Sequence, residues 1–84
     1  METGKLKNRL LLLLQAKERE AGRRITQLEI ASAVGVSPQV IGRWLRNDID
    51  RFDAPIVEKF CAYFRCDVGD LLYLDYGEGP HSDE

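Results

Sequence analysis

The chain holds 84 residues, 44% hydrophobic and 31% charged, with a net charge of −2. That length makes one small domain with a modest core, and the composition excludes a disordered chain. The longest aliphatic run, Leu10 to Leu14, is far too short for a membrane span, and no signal-peptide pattern is present, so a cytoplasmic protein is expected.

The pattern along the chain is helical almost throughout. From Lys5 to about Glu20, Leu6, Leu10, Leu13 and Leu14 recur at helical spacing and predict a first helix. Leu11 and Leu12 lie off that stripe and either widen its buried face, the reading that base rates of leucine burial favour, or form a second contact. At "TQLE", Thr26 can cap a helix start while Glu29 reaches back to it, a capping box. A second helix then runs from Gln27 to Val34, with Leu28, Ile30, Ala31 and Val34 on one face. Gly35 follows, where a left-handed residue ends a helix without a Cβ penalty. Ser37 is a good N-cap and Pro38 suits a first helical position, so a third helix is predicted over about 38–46.

That third helix splits cleanly into two faces. Val40, Ile41, Trp44 and Leu45 fall on one side; Gln39, Gly42, Arg43 and Arg46 fall on the other. Trp44 is therefore assigned to the core. The outer face offers one amide, two guanidiniums and a bare stretch of backbone. Arginine forks match guanine and phosphate acceptors, and a glutamine amide can pair with adenine. Gly42 costs about 1 kcal/mol relative to alanine in a helix interior, and the reading is that its missing side chain lets the helix approach a ligand closely.

Beyond it, Asp53 is placed to cap a fourth helix from about Ala54, whose buried side carries Ile56, Val57, Phe60, Cys61, Tyr63 and Phe64. Asp67 caps a last short helix through Leu71 and Leu72, with Asp70 in its first turn. Tyr73, Leu74 and Tyr76 form an apolar remnant that is either core or the seam of a dimer. Residues 75–84 are read as a flexible acidic tail, giving domain limits of 1–74. Cys61 and Cys66 fit neither a CxxC pair nor a zinc site and are read as structural thiols. With His81 alone in the tail, no catalytic constellation can be assembled. No metal, no cofactor and no enzymatic activity are expected.

Charge is divided unevenly. Residues 1–46 carry nine Lys/Arg against four acids, whereas residues 47–84 carry three against ten. A basic face for a polyanion and an acidic remainder kept away from it would explain the split.

The segment "TQLEIASAVGVSPQVIGRWL", Thr26 to Leu45, resembles the helix-turn-helix of the phage-repressor and Cro-like family. Ala31 matches the motif's small fifth residue and Gly35 its ninth, while Ile30, Val34, Val36, Ile41 and Trp44 match its apolar positions. "APIVEKFCAYFRCDVGDLL" resembles the family's last two helices, and the connection "REAGRR" is longer than usual. The resemblance implies an all-α, compact five-helix lambda-repressor-like domain with its helix-turn-helix at about 27–46. It further implies a transcriptional regulator, in the simplest case a repressor, that binds a double-stranded DNA operator as a homodimer. Gln39 and Arg43, with Gly42 between them, are the expected base-contacting residues. Ser37 and Arg46 are expected at phosphates, and the resemblance implies the same for Gln27. The competing expectation is an antitoxin or protein-interaction module that engages a protein partner through the acidic C-terminal half.

Overall fold

A computed structural model describes residues 3–77; the predicted tail beyond them, with His81, lies outside the described residues. The described residues form five helices, α1 (Leu10–Ala21), α2 (Gln27–Val34), α3 (Pro38–Leu45), α4 (Ala54–Phe64) and α5 (Val68–Leu71). They are joined by two strands the sequence reading did not foresee, β1 (Lys5–Asn8) and β2 (Leu72–Asp75). The fold is thus mostly helical rather than strictly all-α. β1 and β2 pair antiparallel, Lys5 opposite Asp75 and Asn8 opposite Leu72, and Lys7 Nζ lies 2.9 Å from the Asp75 carboxylate. Asp75, read from sequence as the start of the tail, is the last residue of β2.

The predicted first helix is corrected at its start. The Asn8 side chain accepts the Leu10 N–H at 2.8 Å and the Arg9 N–H donates to the Leu71 carbonyl at 2.7 Å, so the chain turns into a helix only at Leu10. Over four residues the alternation Lys-Leu-Lys-Asn fits a strand as well as Leu6 fits a helical stripe. The partner strand decides between them.

Leu10, Leu14, Ile25, Ile30, Ala31, Val34, Ile41, Trp44, Phe60 and Leu71 form the core. At its centre the Trp44 ring meets Phe52 edge-on at 5.2 Å and Phe60 at 4.6 Å. Contrary to expectation, Leu11, Leu12 and Leu28 are exposed, at 47%, 59% and 67%, because α1 and α2 each bury one narrower stripe than their leucines could supply. Of the apolar remnant, Leu74 and Tyr76 are exposed, while Tyr73 lies under the Arg9 guanidinium, 4.3 Å from ring centre. Cys61 and Cys66 are free and half-buried, and burial and the neighbouring Cys61 push the Cys66 thiol up to about 11. A thiol so raised stays protonated at neutral pH, in keeping with a packing role.

Among the described residues, no helix is long and apolar enough to cross a membrane.

Candidate nucleic-acid interface

The site is built by two short helices and the turn between them. Thr26 caps α2 as predicted, its hydroxyl accepting the Glu29 N–H at 3.1 Å. Glu29 reaches back to the Thr26 backbone as predicted, and its carboxylate also takes both Nη groups of Arg23, at 3.1 and 2.7 Å. That hydrogen-bonded pair also holds the Glu29 carboxyl below its usual range. Together with the Glu18 carboxylate, which accepts the Ile25 N–H at 2.8 Å, it fixes the long connection into α2.

Gly35 ends α2 in the left-handed region, φ 79°, and both its N–H and that of Val36 return to the Ala31 carbonyl at 2.8 and 3.0 Å. Ser37 then opens α3, its hydroxyl accepting the Val40 N–H at 3.4 Å, with Pro38 at the first turn. Ala31 is buried at the crossing, where any larger side chain would separate the helices. Three residues, Gly35 to Ser37, thus deliver α3 across α2 with one face in the core and the other in solvent.

Gln27, Ser37, Gln39, Arg43 and Arg46 are all exposed. Gln27, Gln39, Gly42, Arg43 and Arg46 line one shallow recess with Pro38, so five of the six predicted site residues converge on a single surface. Ser37 stands outside the recess, with its oxygen committed to capping α3. Arg46 is the residue that closes α3 rather than a member of its last turn.

Gly42 departs from expectation. It is buried, and a Cβ built on it would lie 3.3 Å from Gln27 Oε1 and 3.4 Å from Arg46 Nη1. The backbone opening expected on the outer face is covered by those two side chains. Glycine here lets the Gln27 carboxamide, reaching over from α2, lie across α3.

Two features of the site were missed. Asp48 sits directly beyond α3 and accepts the Arg43 Nε–H on its carbonyl at 3.2 Å. Asn8, from β1, is buried against the end of α3, donating its amide to the Trp44 carbonyl at 3.0 Å and to Asn47 Oδ1 at 3.1 Å. An acid two residues past Arg46 was a visible signal for the first. Nothing local marked the second, which spans 36 to 39 residues of sequence.

Comparison with known proteins agrees with this geometry. A search of curated proteins returns no match. Among solved structures, a crystal structure described as a putative DNA-binding protein from Bacteroides fragilis superposes with a TM-score of 0.61 at 22% identity, over 81% of this chain and 98% of that one. At that identity the likeness shows the fold. The family model for the Cro/C1-type helix-turn-helix DNA-binding domain matches residues 17–75, which takes in the end of α1, the whole α2–turn–α3 unit, α4, α5 and β2, and the chain belongs to that family.

Proposed function

We propose that this DNA-binding domain is a sequence-specific transcriptional regulator, acting in the cytoplasm as a repressor and as a homodimer, with α3 in the major groove of an operator. It works by binding and not by catalysis. The observation that carries the reading is the convergence of Gln27, Gln39, Arg43 and Arg46 on one exposed recess around α3. In the proposal, Gln39 and Arg43 reach base edges, while Gln27, Ser37 and Arg46 hold phosphates on either side. Gly42 serves these contacts indirectly, by leaving room for Gln27 and Arg46. A single small domain reads few bases, so two copies on half-sites about 34 Å apart supply the rest. Leu6 and Leu74, opposed across the two strands and both exposed, are apolar surface available to such an assembly.

Selection of bound sequences from a random duplex pool, run with wild type and Arg43→Ala at a fixed salt concentration, tests the reading. A palindromic site is expected from the wild type. Arg43→Ala should relax preference at one position per half-site, at a cost of about 1–3 kcal/mol in discrimination. No enriched sequence, with only weak salt-sensitive binding, would overturn it and direct attention to the protein-partner reading.

Gly42→Ala separates stability from binding. The added methyl gains up to about 1 kcal/mol of helix propensity. The atoms it crowds are the ends of two exposed, flexible side chains, which can give way cheaply. A raised melting temperature is therefore expected, with operator affinity weakened by up to about fivefold as Gln27 and Arg46 are displaced, the scale of one exposed charge-assisted contact. Unchanged or tighter binding would show that neither side chain needs its present position.

A further inference from the structure

The two arginines of α3 do not stand in a purely cationic environment. Asn47 turns the chain in the left-handed region, φ 58°, and brings Asp48 back beneath them. The Asp48 N–H donates to the Arg43 carbonyl at 2.8 Å, which closes the turn, and its own carbonyl accepts the Arg43 Nε–H at 3.2 Å. Its carboxylate lies 3.9 Å from Arg43 Nε and 4.0 Å from an Arg46 Nη. All three side chains remain more than half exposed.

We propose that Asp48 is a specificity-determining residue, one that orients Arg43 and suppresses binding to DNA of the wrong sequence. The proposal rests on the reading of α3 as the groove helix. With Nε engaged by the Asp48 carbonyl, the Nη edge of Arg43 is the part left to reach outward, and that edge is the fork that fits guanine O6 and N7. The carboxylate acts through charge. Non-specific binding is supplied almost wholly by attraction between cations and phosphates, so an anion beside both arginines subtracts from it at every position on DNA. At the correct site, hydrogen bonds to neutral base edges remain and carry a larger share of the affinity. Asp48 thus lowers the wrong complexes more than the right one.

Asp48→Asn keeps the shape and both backbone hydrogen bonds while removing the charge. Asp50→Asn, two residues on in the same exposed loop, makes the same change in net charge and serves as the control. Each protein is titrated against the duplex that wild type selects and against a scrambled duplex of equal length, across a salt series. Asp48→Asn should tighten binding to the scrambled duplex by about fivefold, the effect of one unit charge at about 4 Å in water. Binding to the selected duplex should tighten by less than twofold, and the discrimination ratio should fall. Asp50→Asn should alter both duplexes slightly and equally. Equal changes on both duplexes for Asp48→Asn, no change, or the same loss of discrimination from Asp50→Asn would overturn the role of Asp48 alone. A wild type that prefers no sequence would overturn the DNA reading and this inference with it.

Discussion

Trp44→Ala lowers the stability of the domain by about 3–5 kcal/mol, the range for truncating a large buried aromatic. Small domains hold only about 5–15 kcal/mol in total, so a substantial share of the native margin goes with the indole. The ring is 2% exposed and touches aromatic side chains from two directions, Phe52 at 5.2 Å and Phe60 at 4.6 Å. Phe60 is itself fully buried and belongs to α4, so this contact ties α3 to the second half of the molecule. Trp44 is the only tryptophan. Denaturant unfolding of wild type and variant must therefore be followed by far-ultraviolet circular dichroism rather than by indole fluorescence. A loss under about 1 kcal/mol would mean that the cavity collapses around the missing ring. Trp44→Phe, which keeps an aromatic surface against Phe60, should recover more than half of the stability.

The same residue shows which parts of this molecule local sequence can specify. Trp44 was assigned to the core and Gln39, Arg43 and Arg46 to the outer face from helical angle alone, and each lies where that angle puts it. The helix starts and stops at Thr26, Gly35 and Ser37-Pro38 were legible for a related reason. Each acts on backbone groups no more than four residues away. Several of the misses involve a partner from outside the element that carries the residue. β1 exists because Leu72–Asp75 returns beside Lys5–Asn8, and four residues of sequence cannot announce that pairing. Gly42 points outward by its angle and is nevertheless buried, because Gln27 on another helix lies over it. Glu29 reaches its own helix start as expected, and what was not legible is the guanidinium of Arg23, from the preceding connection, that it holds as well. Leu11, Leu12 and Leu28 are the opposite case. They are apolar residues to which the fold offers nothing to pack against, and helical periodicity gives no measure of how wide a buried stripe the neighbours will cover.

Charge gives the interface its remaining logic. The halves of the chain differ strongly in sign, but the acids are not simply held at a distance, since Asp48 lies within about 4 Å of both arginines of α3. A regulator of this kind must leave wrong sequences as well as hold the right one, and attraction to phosphate alone cannot distinguish them. In the proposed reading, one acid at the end of α3, while Gln27, Gln39 and both guanidiniums stay exposed, would keep the site attractive without making it indiscriminate.

Asn8→Ala lowers stability by about 2–4 kcal/mol, although the residue lies in a short strand outside the helix-turn-helix. Its side chain is 3% exposed and makes three hydrogen bonds: Oδ1 accepts the Leu10 N–H at 2.8 Å, while Nδ2 donates to the Trp44 carbonyl at 3.0 Å and to Asn47 Oδ1 at 3.1 Å. Asn47 answers through its own amide, accepting the Asn8 N–H at 2.7 Å and donating to the Asn8 carbonyl at 3.2 Å. Truncation at Asn8 takes the acceptor from a buried N–H at the start of α1 and removes the side-chain ties to the Trp44 carbonyl and the Asn47 amide, leaving the two from Asn47 to the backbone of residue 8. A double-mutant cycle with Asn47→Gly measures the tie between the two amides, because glycine tolerates the left-handed backbone at φ 58° while deleting the amide. Coupling of about 1–2 kcal/mol is expected between the two sites. Strictly additive losses would mean that the amides act independently. The consequence extends to DNA, since Arg43 and Arg46 stand on the last turn and cap of α3 that this network anchors. Operator affinity of Asn8→Ala, measured at a temperature where circular dichroism shows the variant folded, should fall below that of wild type. Full affinity in the folded variant would leave Asn8 a role in stability alone.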